Sequence, residues 1–166
     1  MRNGIRKVLA ALTIPAAIGL AVAASVPALA DTTGSLCEAF GAQLCAGGDQ
    51  SSGSLVLEKN PPGRTITWHP TSGNWQGWPI GNLKEGSLCF RRAFDGLNVV
   101  VKLGDCSDTG TAFWKDNSGS HLRFGNKIDS EAEGHNRYLS GVGSVNSWFI
   151  FGDAGQGNLL QQFTLF

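Results

Sequence analysis

The chain has 166 residues, with 23 glycines, 4 cysteines, and 13 basic against 13 acidic side chains. No block of like charge occurs in it, which argues against nucleic acid and anionic membrane surfaces as partners. The length suits one domain of ordinary size.

The first thirty residues read as a secretory leader. Arg2, Arg6 and Lys7 form a basic n-region. Val8 to Val26 is a small, apolar run interrupted by Pro15 and Gly19, and Ala28-Leu29-Ala30 is an A-x-A cleavage site ahead of Asp31. The run is about long enough to span a bilayer. Its alanine content, its breakers and the cleavage pattern favour removal over anchoring. No Arg-Arg pair marks the twin-arginine route, so general secretion is expected. Without Arg2, Arg6 and Lys7, residues 31–166 keep ten basic and thirteen acidic side chains, a net charge of −3 on a single extracellular domain. Cys37, Cys45, Cys89 and Cys106 all lie in that exported part. An even count in a secreted chain reads as two disulfides, and three pairings are possible. The two local closures, Cys37–Cys45 and Cys89–Cys106, are expected. The second closes a loop worth ~3 kcal/mol by chain entropy. The cysteine spacings are not C-x2-C, and His69, His121 and His135 stand alone, so neither a metal nor a cofactor is expected.

Along 31–166 the turn residues cluster every eight to twelve positions and no sustained 3.6 period appears, which predicts many short strands. Pro61-Pro62-Gly63, Asp95-Gly96, Asn117-Ser118-Gly119 and Gly155-Gln156-Gly157 are turn signals. Three stretches share a plan. Cys45 is followed by Leu55 and Leu57 and then Trp68. Cys89 is followed by Val101 and Leu103 and then Trp114. Leu139 is followed by Phe149 and Phe151 and then Phe163. The spans are 23, 25 and 24 residues, and the step from the central pair to the closing aromatic is 13, 13 and 14. The members of each central pair are two apart, so both face one side of a strand. A further strand-like segment precedes each stretch: Ser35 to Phe40, Trp75 to Ile80, and His121 to Ile128. Repeats of about 34–70, 73–117 and 120–166, each of four strands, would bury a shared core together and cover one another's edges. The predicted core is Leu55, Leu57, Val101, Leu103, Phe149, Phe151, Trp68, Trp114 and Phe163.

The pattern Cys89 … Val101-x-Leu103-x-x-Cys106 … Trp114 resembles one unit of the ricin B-type β-trefoil family, which repeats a cysteine strand, a V-x-L-x-x-C strand and a closing Q-x-W strand three times. The resemblance covers about 34–166 and implies an all-β trefoil of three four-strand units. The glutamine of the last motif survives in Gln161-Gln162-Phe163; the other closing strands read Ile66-Thr67-Trp68 and Ala112-Phe113-Trp114. The alanine-rich leader and the Ser-Leu-Cys-Glu start are similar to small secreted actinobacterial proteins. The family binds galactose-type sugars through an Asp after the first cysteine, a stacking aromatic and an amide beside Q-x-W. The Asp positions correspond here to Gly47, Arg91 and Gly141, and the stacking positions to Glu58, Gly104 and Gly152. Only the third unit keeps amides, in Asn158, Gln161 and Gln162, so any sugar site is degenerate or relocated.

Other candidates come from the residues themselves. In Asn74-Trp75-Gln76-Gly77-Trp78, Trp78 aligns with Phe124 and is expected in the core, which leaves Trp75 as the freer indole, a saccharide platform or an ordinary buried Trp. Trp148, Ile150 and Val56 alternate with core positions, so they form an exposed partner surface or lie under neighbouring loops. Arg64 ends a stiff 61–65 loop whose basic tip could enter a trypsin-like pocket, or which is a solvated turn. Asp129-Ser130-Glu131-Ala132-Glu133 is expected as a long loop without the spacing of a calcium site. No Gly-x-Ser-x-Gly elbow, phosphate loop or singled-out carboxylate pair points to catalysis. The expected function is a monomeric, non-enzymatic binding module that recognises carbohydrate through Trp75, Asn158, Gln161 and Gln162. The alternative is an interaction protein for another secreted protein, such as a protease inhibitor acting through a surface loop.

Overall fold

A computed structural model describes residues 30–40, 44–59, 64–117, 119–153 and 159–165. The leader, the 61–63 turn, the 155–157 turn and Asn158 lie outside these described residues. Strands β1 (Thr32–Gly34) and β2 (Leu36–Glu38) follow one another with only Ser35 between them. β3 (Leu44–Asp49) and β4 (Ser54–Lys59) form a hairpin, as do β5 (Ile66–Trp75) and β6 (Trp78–Glu85). β7 (Leu88–Asp95) and β8 (Asn98–Gly104) turn at Gly96, whose φ of 59° suits a residue without a Cβ. After β9 (Phe113–Asp116) come β10 (Arg123–Asn126) and a helix, α1 (Lys127–Glu133), and then β11 (Arg137–Ser140), β12 (Ile150–Asp153) and β13 (Phe163–Leu165).

The fold is all-β with two disulfides, Cys37–Cys45 and Cys89–Cys106, paired as predicted. One sheet runs β1-β5-β6-β7-β8-β12-β11-β10-β9 and a second runs β13-β2-β3-β4. β6 also pairs with β9, and single bridges join Leu122 to Phe163 and Val56 to Trp148. Among the described residues these ladders trace a closed circuit, from β1/β2 through β5, β6, β9, β10 and β13 back to β2. Closure removes the free edges that a flat sheet would expose. The hairpins β3–β4, β7–β8 and β11–β12 lie off this circuit. They meet one another through backbone bonds: Leu57 N–H donates to Ser147 O (2.9 Å), Leu103 N–H to Gly53 O (2.9 Å) and Val101 N–H to Phe149 O (3.0 Å).

The register defines a threefold correspondence. Ile66, Phe113 and Phe163 on the closing strands sit opposite Glu85, Asn126 and Glu38, and two residues before those come Leu83, Phe124 and Leu36. Ala46, Phe90 and Leu139 sit opposite Leu57, Leu103 and Phe151. All these apolar side chains are buried in one cluster. The nine predicted core residues are all buried, at most 4% exposed.

Four expectations shift. Trp114 is one residue out of step with the closing positions, so alternation turns it to the outer side of the circuit. There it stacks on Trp78 (4.9 Å), meets Tyr138 edge-on (4.9 Å) and donates its indole N–H to Ser130 Oγ (3.3 Å). Gly125, its cross-strand partner, leaves the room: a Cβ there would collide with the indole. Trp78, expected in the core, is half-buried on this outer layer, and Leu83 holds the place that matches Phe124. In the third repeat Tyr138, not Leu139, corresponds to Cys45 and Cys89. The acidic run expected as a loop is instead helix α1. Asn126 caps it, accepting from Asp129 N–H at 3.1 Å, Gly134 ends it at φ 73°, and Asp129 and Ser130 are buried.

Candidate functional site

The closed circuit is held least firmly between β10 and β13. β1 and β5 share three residue pairs and β6 and β9 share two, whereas Leu122 and Phe163 are the single bridge between the strand entering β10 and β13. Leu122 and Phe124 face inward, so His121 and Arg123 face out; Phe163 faces inward, so Gln162 faces out. These three side chains, with Gly119 and Ser120, line an open notch of about 160 Å³ across the seam. Phe40, just past β2, sets its ring edge-on to His121 at 4.9 Å and is 37% exposed. The Arg123 guanidinium pairs with the fully buried Asp116 and lies 4.9 Å over the Tyr138 ring. It is therefore fixed in place at the edge of the notch. Burial pushes the Tyr138 hydroxyl above its ordinary range, so it remains a neutral phenol under Arg123.

A second group joins the notch through Tyr138. The Asn136 side chain, close enough to the Tyr138 hydroxyl to offset its upward shift in part, accepts the Trp75 indole N–H at 2.8 Å and donates to Gln76 Oε1 at 3.2 Å. Trp75 pairs across the β5–β6 hairpin with Trp78, which places both on its outer side. Trp75 is half-buried, with its ring N–H already used. What it can offer a ligand is its face.

The other predicted sugar residues divide. Gln162 lines the notch. Gln161 is 2% exposed and donates to Asp153 O at 2.8 Å, so it holds the end of β12 and is closed to a ligand. The positions read from the family pattern do not form pockets. The Glu58 carboxylate covers Gly47, and Arg91 lies over Gly104 while pairing with Asp108 at 3.3 Å. In the third repeat the residue matching Gly47 and Arg91 is Ser140, not Gly141, because Ser140 pairs with Ile150.

No protein-family model matches this chain, and no curated protein does either. The chemistry of the site rests on its own geometry. Among the described residues no group of three or more His, Cys, Asp or Glu could hold a metal. Arg64, the basic tip of the proposed inhibitor loop, is tied to the buried Glu85 carboxylate at 3.1 Å. Of the three residues that alternate with core positions, Trp148 and Ile150 are exposed, at 42% and 37%, and Val56 is half-buried. His121, Arg123 and Asn136 were missed in the sequence. The alternation His121-Leu122-Arg123-Phe124 is the signal for the first two. Asn136 carries none, because its role depends on a hairpin sixty residues away.

Proposed function

We propose that the protein is an exported, non-catalytic saccharide-binding module built on a ricin B-type β-trefoil. The six-part strand circuit, the three hairpins and the threefold set Leu36, Leu83 and Phe124 support the fold. The leader pattern and two disulfides, which persist in oxidising compartments, support export. Among the described residues no helix is long and apolar enough to cross a membrane.

The notch beside Gln162 carries the saccharide reading. Sugar hydroxyls need charged or amide partners, and the C–H face of the ring needs a flat apolar surface. Gln162, Arg123 and His121 supply the first and Phe40 the second. The matching seam positions are Thr33, Ser35 and Thr65 in the first repeat and Ile80, Asn82 and Ala112 in the second. The imidazole, guanidinium and amide thus occur together in the third repeat alone, where the sequence placed the surviving amides. On a glycan array, residues 31–166 should bind a defined set of saccharides. Gln162→Ala and His121→Ala should each weaken binding about tenfold, the loss of one hydrogen bond of ~1.4 kcal/mol. Binding to no glycan, or affinities unmoved by both changes, overturns the reading.

A further inference from the structure

We infer that the notch is one end of a binding strip for an extended oligosaccharide, with Trp75 as the platform at the far end; this rests on the saccharide reading above. Gln162 just before β13, Arg123 on β10, Trp78 on β6 and Trp75 on β5 follow the circuit through β9, whose Trp114 stacks on Trp78. From Gln162 to Trp75 the residues span four strand-to-strand steps of the six-part circuit, more than one terminal sugar covers. Between the ends the Arg123 guanidinium lies over the Tyr138 ring, Asn136 lies beside Tyr138, and the Asn136 side chain bonds both Trp75 and Gln76.

The backbone at Gln76 points the same way. Gln76 and Gly77 form the two-residue turn between Trp75 and Trp78, with φ of 48° and 91°. Such turns favour Asn-Gly, and a residue with a longer side chain is strained in the left-handed region. Strain of this kind gathers at sites of function. Here the longer side chain reaches Asn136, which an Asn at this position is too short to do, and Gln76 is exposed.

The test is affinity against chain length. Mono- to hexasaccharides of β-1,4-linked glucose, xylose and N-acetylglucosamine, and of β-galactosides, are titrated calorimetrically into residues 31–166 and four variants. Affinity should rise at least tenfold from mono- to hexasaccharide. Trp75→Ala should flatten that rise, Trp75→Tyr should restore most of it, and Gln162→Ala should weaken every length alike. Gln76→Asn should hold or raise Tm while lowering hexasaccharide affinity, which separates binding from folding. A monosaccharide bound as tightly as its hexamer, or a rise unchanged in Trp75→Ala, overturns the strip and leaves a single-sugar site. Binding of no saccharide at any length overturns both readings.

Discussion

Glu38 is 2% exposed, and one of its carboxylate oxygens, Oε1, is buried with no hydrogen-bond partner. Burial raises its pKa above the ordinary carboxylate value, and the Gly143 N–H offsets this in part. Where the folded protein carries Glu38 ionised, it holds a charge that the unfolded chain solvates better. As pH falls through the raised folded value the cost is relieved. Below the unfolded value both states are protonated and it is gone. Glu38→Gln should stabilise the protein by about 1 kcal/mol at pH 7, and the gain should shrink toward zero near pH 4 when Tm is followed against pH. A loss at pH 7 would mean that the charge is compensated. Glu38 was not legible as special, because the pairing of β2 with β13 and the 141–143 segment over its carboxylate bury it from far along the chain. Gln161 and Gln162 show a related limit. Gln162 follows from the inward Phe163, but Gln161 belongs to a 3-10 turn before the strand, where alternation does not hold.

The strands were legible wherever alternate residues are apolar, as at Leu55 and Leu57 or Val101 and Leu103. Register was not. The conspicuous indole Trp114 was aligned with Trp68, whereas the pairing of Gly81 with Phe113 and of Gly34 with Ile66 sets the correspondence one residue earlier for one and two for the other. A ladder partner far along the chain decides this, and local pattern cannot. Helix α1 was missed because its seven residues include only two apolar side chains, Ile128 and Ala132, too few for a 3.6-residue stripe. Its two ends were nonetheless present, as Asn126 and Gly134. Asn126 is wholly buried and serves twice, accepting from Asp129 N–H and donating to Gly110 O at 2.7 Å. The helix is docked by Asp129, which bonds Arg92 at 2.7 Å and lies 3.3 Å from Arg137. Asn126→Ala should cost about 2 kcal/mol in urea unfolding, more than an exposed cap, because the Gly110 carbonyl is left buried without its donor. A cost below ~0.5 kcal/mol would show the helix to be capped otherwise.

Three repeats of equal span were visible in the chain because each contributes the same inward pattern to one core. The closure of the last strand onto the first, β13 on β2, was not, since nothing in either strand names the other. That closure places Phe40 of the first repeat beside His121 of the third. The seam itself has a kinetic meaning. Leu122 and Phe163 exchange two backbone hydrogen bonds, of 2.9 and 2.8 Å, with no second pair beside them. Openings that free those two amides need break little else, so their deuterium uptake should outpace that of Phe113 and Gly81 across the doubly paired β6–β9 contact. A saccharide seated on Gln162 and Arg123 would straddle the gap like a clasp. Uptake at Leu122 and Phe163 should then slow with ligand concentration while the rest of the circuit is unmoved, and uniform slowing everywhere would assign the effect to global stability instead.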